Sequence, residues 1–264
     1  MIDPRLGDAL CKRIEQALRS APRLPLVVGI CGAQGSGKST LAADLAQRLT
    51  QGGRTVATLS LDDLYKTRAE RQRMAREVHP LFATRGVPGT HDIALGLETI
   101  AALERGEAAL LPRFDKGADD RAPRETWPVA PAGTEVLLLE GWCVGARPQA
   151  DVSTPVNALE QTDDPQALWR SHANAALAGD YQRLFARIDL LVLLAAPGWE
   201  VVARWREQQE AELRQRGGSA VMSPAEVTRF IQHYERLTRW ILEEMPARAD
   251  LTVRLGENRE VLSL

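Results

Sequence analysis

Gly32, Gly37, Lys38 and Ser39 stand at the spacing G-x-x-x-x-G-K-[ST] within "VGICGAQGSGKSTL", residues 28 to 41. That spacing suits phosphate. Backbone N–H groups turn inward around the anion, a lysine reaches the outer phosphate oxygens, and a hydroxyl is left to ligate magnesium. A flexible surface loop would use similar residues, because Gly and Ser commonly punctuate connections. The flanks decide between the two. "LPLVVGIC" has the Val and Ile content and the length of a buried parallel strand. "STLAADLAQRLT" places Leu41, Leu45 and Leu49 on one face of a helix. Strand, glycine loop and helix form the context a phosphate loop requires, with the helix N-terminus aimed at the anion. The expected nucleotide-binding set is Gly32, Ala33, Gln34, Gly35, Ser36, Gly37, Lys38, Ser39 and Thr40.

Other polar residues stand where strands are expected to end. "SLDDLYKT" carries Asp62 and Asp63, which either cap a helix or aim a carboxylate at a substrate hydroxyl. "EVLLLEGW" ends an apolar run in Glu140, the place where phosphate-loop proteins carry an acidic residue that helps hold magnesium. His91 and Asp92 precede a helical pattern (Ile93, Leu97, Ile100), so Asp92 has a capping reading as well. Arg113, Asp115 and Lys116 are either solvated loop charges or part of a cationic wall over the phosphates. Taken together, the segments would suit a small, anionic, hydroxyl-bearing substrate.

A doubly wound α/β sheet would position these groups. Apolar runs predict a leading helix near 6–20 and strands at 26–31, 55–60, 135–139, 188–194 and 250–255, mostly separated by helical patterns. Such alternation argues for a mainly parallel sheet with helices on both faces and ligands beyond the carboxyl ends of its strands. "RAPRETWPVAPAG" and "GARPQADVSTP" read as long loops within one domain spanning 1–264. Two closing helices are expected to meet at Gly217–Gly218, the second opened by Ser223, Pro224 and Glu226 as a capping box.

The 264 residues are 44% hydrophobic and 26% charged, enough for a sizeable core. A net charge of −2 recommends neither nucleic acid nor an anionic membrane as partner, and "KTRAERQRMAR" reads as a solvated helix face. Cys11, Cys31 and Cys143 lie far apart without metal-site or disulfide spacing, which suits a reducing cytoplasm. No signal core is expected at the start and no stretch approaches the roughly 20 apolar residues of a membrane span. Only four of the 33 basic residues are lysines, and Lys38, Lys66 and Lys116 fall beside the glycine loop and the polar segments. There a compact, mobile ammonium differs in use from a planar guanidinium.

The succession "GAQGSGKST", "SLDDLYKT", "TRGVPGTHD", "LPRFDKGADDRAPRETWP" and "LLLEGW", continued by "RWREQQEAELR", "MSPAEV" and "ENREV", resembles the D-glycerate 3-kinase family. That family, of plant and fungal type with bacterial relatives, lies within the phosphoribulokinase and uridine kinase group of P-loop kinases. The resemblance covers nearly the whole chain after the leading helix. It implies a P-loop NTPase three-layer sandwich with a five-stranded, mainly parallel sheet and a helical lid at about 199–245. It further implies transfer of the ATP γ-phosphoryl group, with Mg2+, to the 3-hydroxyl of D-glycerate. By it, Asp62 matches the catalytic carboxylate, with Tyr65 three residues on, and Asp92 matches a substrate-hydroxyl ligand of the uridine kinase branch. The Arg204 and Arg206 region looks like the lid helix, with Lys38 and Arg206 supplying charge at the transferred group. Ser39 and Glu140 would hold magnesium, and the substrate segments would span 85–128. Arg85, Arg113 and Lys116 stand as unranked partners for the substrate carboxylate, with His91 and Asp115 nearby. Leu64 and Phe114 depart from the Phe and Tyr usual at those places.

Two rivals remain at this level. One is a kinase of the same group acting on pantothenate, a nucleoside or a sugar phosphate. A nucleoside would want stacking surfaces, and residues 85–128 hold only Phe114 and Trp127 as aromatics. The other is a nucleotide-operated switch, although the guanine-reading [NT]-K-x-D is absent.

Overall fold

The computed structural model describes residues 3–215 and 222–264, so the expected Gly217–Gly218 turn lies outside the described residues. The leading helix, α1 (Pro4–Ser20), is capped by the Asp3 side chain accepting from Arg5 N, and it buries Leu6, Leu10 and Ile14. The central strand β1 (Leu26–Gly32) is buried along its whole length. After the glycine loop comes α2 (Lys38–Gln51), which buries Leu41, Leu45 and Leu49, the stripe legible in the sequence. It packs on α1 and across β1, β2 (Val56–Ser60) and β3 (Val136–Gly141).

β4 (Leu190–Ala195) and β5 (Leu251–Leu255) complete the five expected strands, all parallel. A sixth, β6 (Val261–Ser263), joins β5 antiparallel, giving the order β6-β5-β4-β1-β3-β2. The sheet therefore has six strands where five were expected. Three edge residues with Leu262 exposed carry no readable period, and only pairing to β5 makes them a strand. Because β1 lies between β3 and β4, the chain order reverses on either side of it, and the glycine loop leaves β1 at that switch point.

Between β2 and β3 the chain builds α3 (Arg68–Glu77), α4 (Ile93–Glu104) and a hairpin of Phe114–Asp115 against Asp120–Arg121. α3 opens with a Thr67 and Glu70 capping box. It is not a wholly solvated face, because Arg71 is buried and donates to the carbonyls of Lys66, Ala83 and Asp119. Three short helices, α5 (Ala158–Asp163), α6 (Leu168–Ala176) and α7 (Gln182–Phe185), precede β4. The last two helices, α8 (Trp199–Gln215) and α9 (Pro224–Glu244), pack on each other, and α9 begins with the Ser223 and Glu226 capping box. Among the described residues no helix is long and apolar enough to cross a membrane.

Candidate active site

The glycine loop wraps back on itself, with Ser36 N donating to Ala33 O at 3.1 Å. Gly37, the N-cap of α2, has φ 89°, and Gly35 has φ 79°. Both need glycine for the left-handed backbone, and at Gly35 a Cβ would also lie 2.8 Å from Trp205 Cβ. This turn carries Lys38 and Ser39 to the first turn of α2. Ser39 Oγ donates to Glu140 Oε1 at 3.2 Å, while the buried Glu140 Oε2 has no hydrogen-bond partner among the described residues. A hydroxyl beside a half-satisfied buried carboxylate, at the N-terminus of a helix, is a donor set that fits a hard divalent cation shared with phosphate oxygens.

β2 ends in a single 3-10 turn, Leu61–Leu64. Leu61 and Leu64 are buried, which turns Asp62 and Asp63 outward in different directions. Asp62 Oδ1 accepts from Tyr65 Oη at 2.9 Å and Oδ2 from Lys116 Nζ at 2.7 Å. Burial raises the Asp62 carboxyl, but the ammonium groups of Lys116 and Lys38 outweigh it and hold the group at about 2. Asp63 instead accepts from Phe114 N at 3.0 Å and Arg113 Nη1 at 3.1 Å. Burial raises its pKa against those two contacts. The neighbouring carboxylates thus divide the work: Asp63 ties the hairpin to the turn, and Asp62 faces the cleft.

That cleft is a cavity of about 440 Å³. Gln34, Gly35, Lys38 and Ser39 line one side, Asp62, Tyr65, Arg85 and Lys116 another, and Trp142, Arg206, Gln209, Phe230 and Tyr234 close it. Arg85 is oriented by an ion pair with Asp119, and Asp119 is held by the buried Arg71 at 2.9 Å. Arg206 pairs with the buried Glu210 and lies over the Phe230 ring at 5.4 Å. A second cavity, of about 780 Å³, lies on the far side of the loop between Gly37, Thr40 and the 258–260 turn. Arg259, at φ 67°, donates from Nε to Gly35 O at 2.6 Å and so joins that turn to the loop.

Four of the substrate-side candidates, His91, Asp92, Arg113 and Asp115, do not line the 440 Å³ cavity. His91 is buried, stacked on Tyr65 at 4.6 Å, and shares a 2.5 Å hydrogen bond between Nδ1 and Tyr181 Oη. Burial drops its pKa to about 3, so it is neutral at physiological pH. Asp92 caps α4 by accepting from Leu95 N at 3.1 Å and pairs with Arg121 at 2.9 Å. Arg113 is committed to Asp63, and Asp115 accepts from Gly117 N and Ala118 N at the hairpin tip. Gly32 and Ala33 form the buried root of the loop, while Ser36 and Thr40 face the second cavity. Arg204, on the same helix as Arg206, pairs with Glu257.

Conversely, sequence reasoning missed Trp142, Gln209, Phe230 and Tyr234. Trp142 had a signal, since it follows the strand-ending Glu140 and Gly141. Phe230 and Tyr234 stand at i and i+4 in a long helix, indistinguishable from core until α9 is folded over the loop. They overturn the reading of an aromatic-poor site, because the aromatics come from outside residues 85–128. Their rings are engaged with the protein: Trp142 meets Tyr234 edge-on at 5.0 Å and donates from Nε1 to Gly86 O at 2.9 Å, and Tyr234 Oη donates to Arg85 O at 3.0 Å.

Residues 27–147 match the phosphoribulokinase/uridine kinase family. Over 239 residues the chain is 38% identical to "Uncharacterized kinase mug58" of Schizosaccharomyces pombe, covering 86% of this chain and 84% of that protein. It is 36% identical over 222 residues to the chloroplastic D-glycerate 3-kinase of Arabidopsis thaliana, covering 80% of this chain but 46% of that longer protein. Among solved structures it superposes on the YGR205w protein with a TM-score of 0.81 at 26% identity, over 98% of this chain and 95% of that one. The D-glycerate 3-kinase of Cryptococcus neoformans shares the fold, with a TM-score of 0.79 at 24% identity and 98% of each chain covered. With its glycine loop at the switch point of a parallel sheet and a curated kinase aligned along most of both chains, this chain belongs to the phosphoribulokinase/uridine kinase family of P-loop kinases.

Proposed function

We propose that this protein transfers the γ-phosphoryl group of ATP to the 3-hydroxyl of D-glycerate, giving 3-phosphoglycerate and ADP. One observation carries the reading: a single cavity places a carboxylate, Asp62, opposite the phosphate-loop Lys38 and beside two further cations, Arg85 and Lys116. A carboxylate serves an attacking hydroxyl, and the two cations suit an acid too small to fill a nucleoside site. The plant and fungal relatives that carry the name D-glycerate 3-kinase support the same acceptor.

In this reading the nucleotide lies across the loop, its base in the 780 Å³ cavity and its terminal phosphate in the 440 Å³ one. Loop amides and Lys38 spread the negative charge that develops on the transferred group, with Arg206 adding to them after exchanging Glu210 for phosphate. Ser39 and Glu140 would hold Mg2+, which would supply positive charge to offset that of the phosphates. The acceptor oxygen bonds to Pγ, the bond from Pγ to the bridging oxygen breaks with its electron pair on ADP, and the hydroxyl proton passes to Asp62. Arg85 and Lys116 hold the acceptor carboxylate. Arg113 drops out of the ranking because Asp63 and the hairpin already use it. The three cysteines are unpaired, which suits a reducing cytoplasmic setting.

The test is ADP formation by purified protein with ATP and Mg2+ against D-glycerate, L-glycerate, pantothenate and uridine, followed by locating the phosphate on the product. Acceptance of D-glycerate at its 3-hydroxyl is expected. Preference for uridine or pantothenate would replace the acceptor, and turnover indifferent to every acceptor would replace the kinase with a nucleotide switch.

A further inference from the structure

Both oxygens of Asp62 are occupied: Tyr65 donates to one at 2.9 Å and Lys116 to the other at 2.7 Å. Tyr65 is buried, and burial beside the Asp62 charge pushes its phenol well above the usual value, so it stays a donor. A carboxylate held on both sides is a poor acceptor for a hydroxyl proton, because each donor stabilises its charged form. The two donors differ in mobility. Tyr65 is locked between His91 and Phe114, at ring distances of 4.6 and 5.2 Å. Lys116 sits on the hairpin tip with 61% of its side chain exposed, and its turn is maintained by Asp115, not by its own ammonium. It is one of only four lysines in an arginine-rich chain, and its four-carbon stem can swing where a planar guanidinium would be pinned in a fork.

We propose that Lys116 is a specificity gate: it blocks Asp62 until the carboxylate of an acid acceptor draws its ammonium away, so that only an anionic acceptor frees the base. The inference rests on the proposed kinase reading and adds to it a reason for rejecting neutral alcohols and water. An acid entering beside Arg85 offers Lys116 a second anion in the same cavity. A neutral alcohol or a water molecule offers none, and the ammonium stays on Asp62. Transfer to water or glycerol would otherwise follow the same course, with the attacking oxygen bonding to Pγ, ADP leaving with the electron pair, and the proton going to Asp62.

The experiment measures three rates with ATP and Mg2+ for the wild type and Lys116→Met: ADP formation with no acceptor, with glycerol, and with D-glycerate. The gate predicts opposite signs. Lys116→Met should lose about tenfold or more in kcat/KM for D-glycerate while acceptor-free ADP formation and glycerol phosphorylation rise by about tenfold. Lys116→Gln should behave alike, and adding Asp62→Asn to Lys116→Met should abolish the gain. A loss with D-glycerate and no gain with water or glycerol would reduce Lys116 to a carboxylate contact and overturn the gate. So would a gain that survives Asp62→Asn. If the wild type ignores D-glycerate, the acceptor assignment fails separately, and the water and glycerol rates of Lys116→Met still decide the gate.

Discussion

Ser39 Oγ lies 3.2 Å from Glu140 Oε1, joining the first turn of α2 to the end of β3 across 101 positions of chain. The contact links the phosphate loop to the carboxyl end of the sheet and leaves the second, buried oxygen of Glu140 without a partner among the described residues. Glu140→Gln keeps the shape and the contact with Ser39 but removes the charge. The magnesium concentration giving half-maximal rate should rise about 10- to 100-fold, with the thermal midpoint little changed. A magnesium titration of initial rates checks this, and an unmoved midpoint of that titration would take Glu140 out of the metal site.

Asp62 and Asp63 should separate in kinetics as they do in contacts. Asp62→Asn should lower kcat by about 10²- to 10⁴-fold with ATP binding preserved. Asp63→Asn should weaken its grip on Arg113 and Phe114, raising the acceptor KM and lowering the thermal midpoint with a smaller loss in kcat. Steady-state kinetics and a melting curve for each variant check both, and a larger kcat loss at Asp63 would reverse the assignment.

Arg85→Ala should raise the acceptor KM by roughly 10- to 100-fold while leaving that for ATP nearly unchanged, the loss expected for one charge-assisted contact. Arg113→Ala should act mainly through hairpin stability, because its guanidinium serves Asp63. Arg71→Met supplies a further check: without the buried guanidinium, Asp119 no longer orients Arg85, and the acceptor KM should rise again. Separate KM measurements for ATP and acceptor distinguish the cases.

His91 should make the fold acid-sensitive. Its folded pKa, about 3, is depressed by burial below the ordinary value of 6.5. Between those values the unfolded chain binds the proton more readily, so stability falls as pH drops from about 6.5 toward 3, by up to about 1.4 kcal/mol per pH unit. His233, also depressed by burial, adds to the trend. Thermal midpoints from pH 7 to pH 4 should therefore decline, and His91→Asn, which keeps a hydrogen-bonding group for Tyr181 Oη without a titrating ring, should decline less steeply. Parallel slopes would show that His91 does not control this range.

Local pattern determined the phosphate loop, its flanking strand and helix, the capping box at Ser223, and the acidic end of β3. Each is set by residues adjacent in sequence, where backbone freedom at glycine, side-chain period and cap chemistry act within a few positions. The motif succession carried the family as well. The sixth strand and the partners of each charge were settled only in three dimensions. Asp62 and Asp63 are equivalent as letters, yet opposite sides of one 3-10 turn give one the cavity and the other the hairpin. Asp92 had both a capping and a ligand reading, and folding commits it to Leu95 N and Arg121. Arg71 looked like a solvated charge until three carbonyls closed around it. Phe230 and Tyr234 reach the cavity because α9 crosses back over a loop about 200 residues earlier, a contact that depends on tertiary packing and leaves no local period in the sequence.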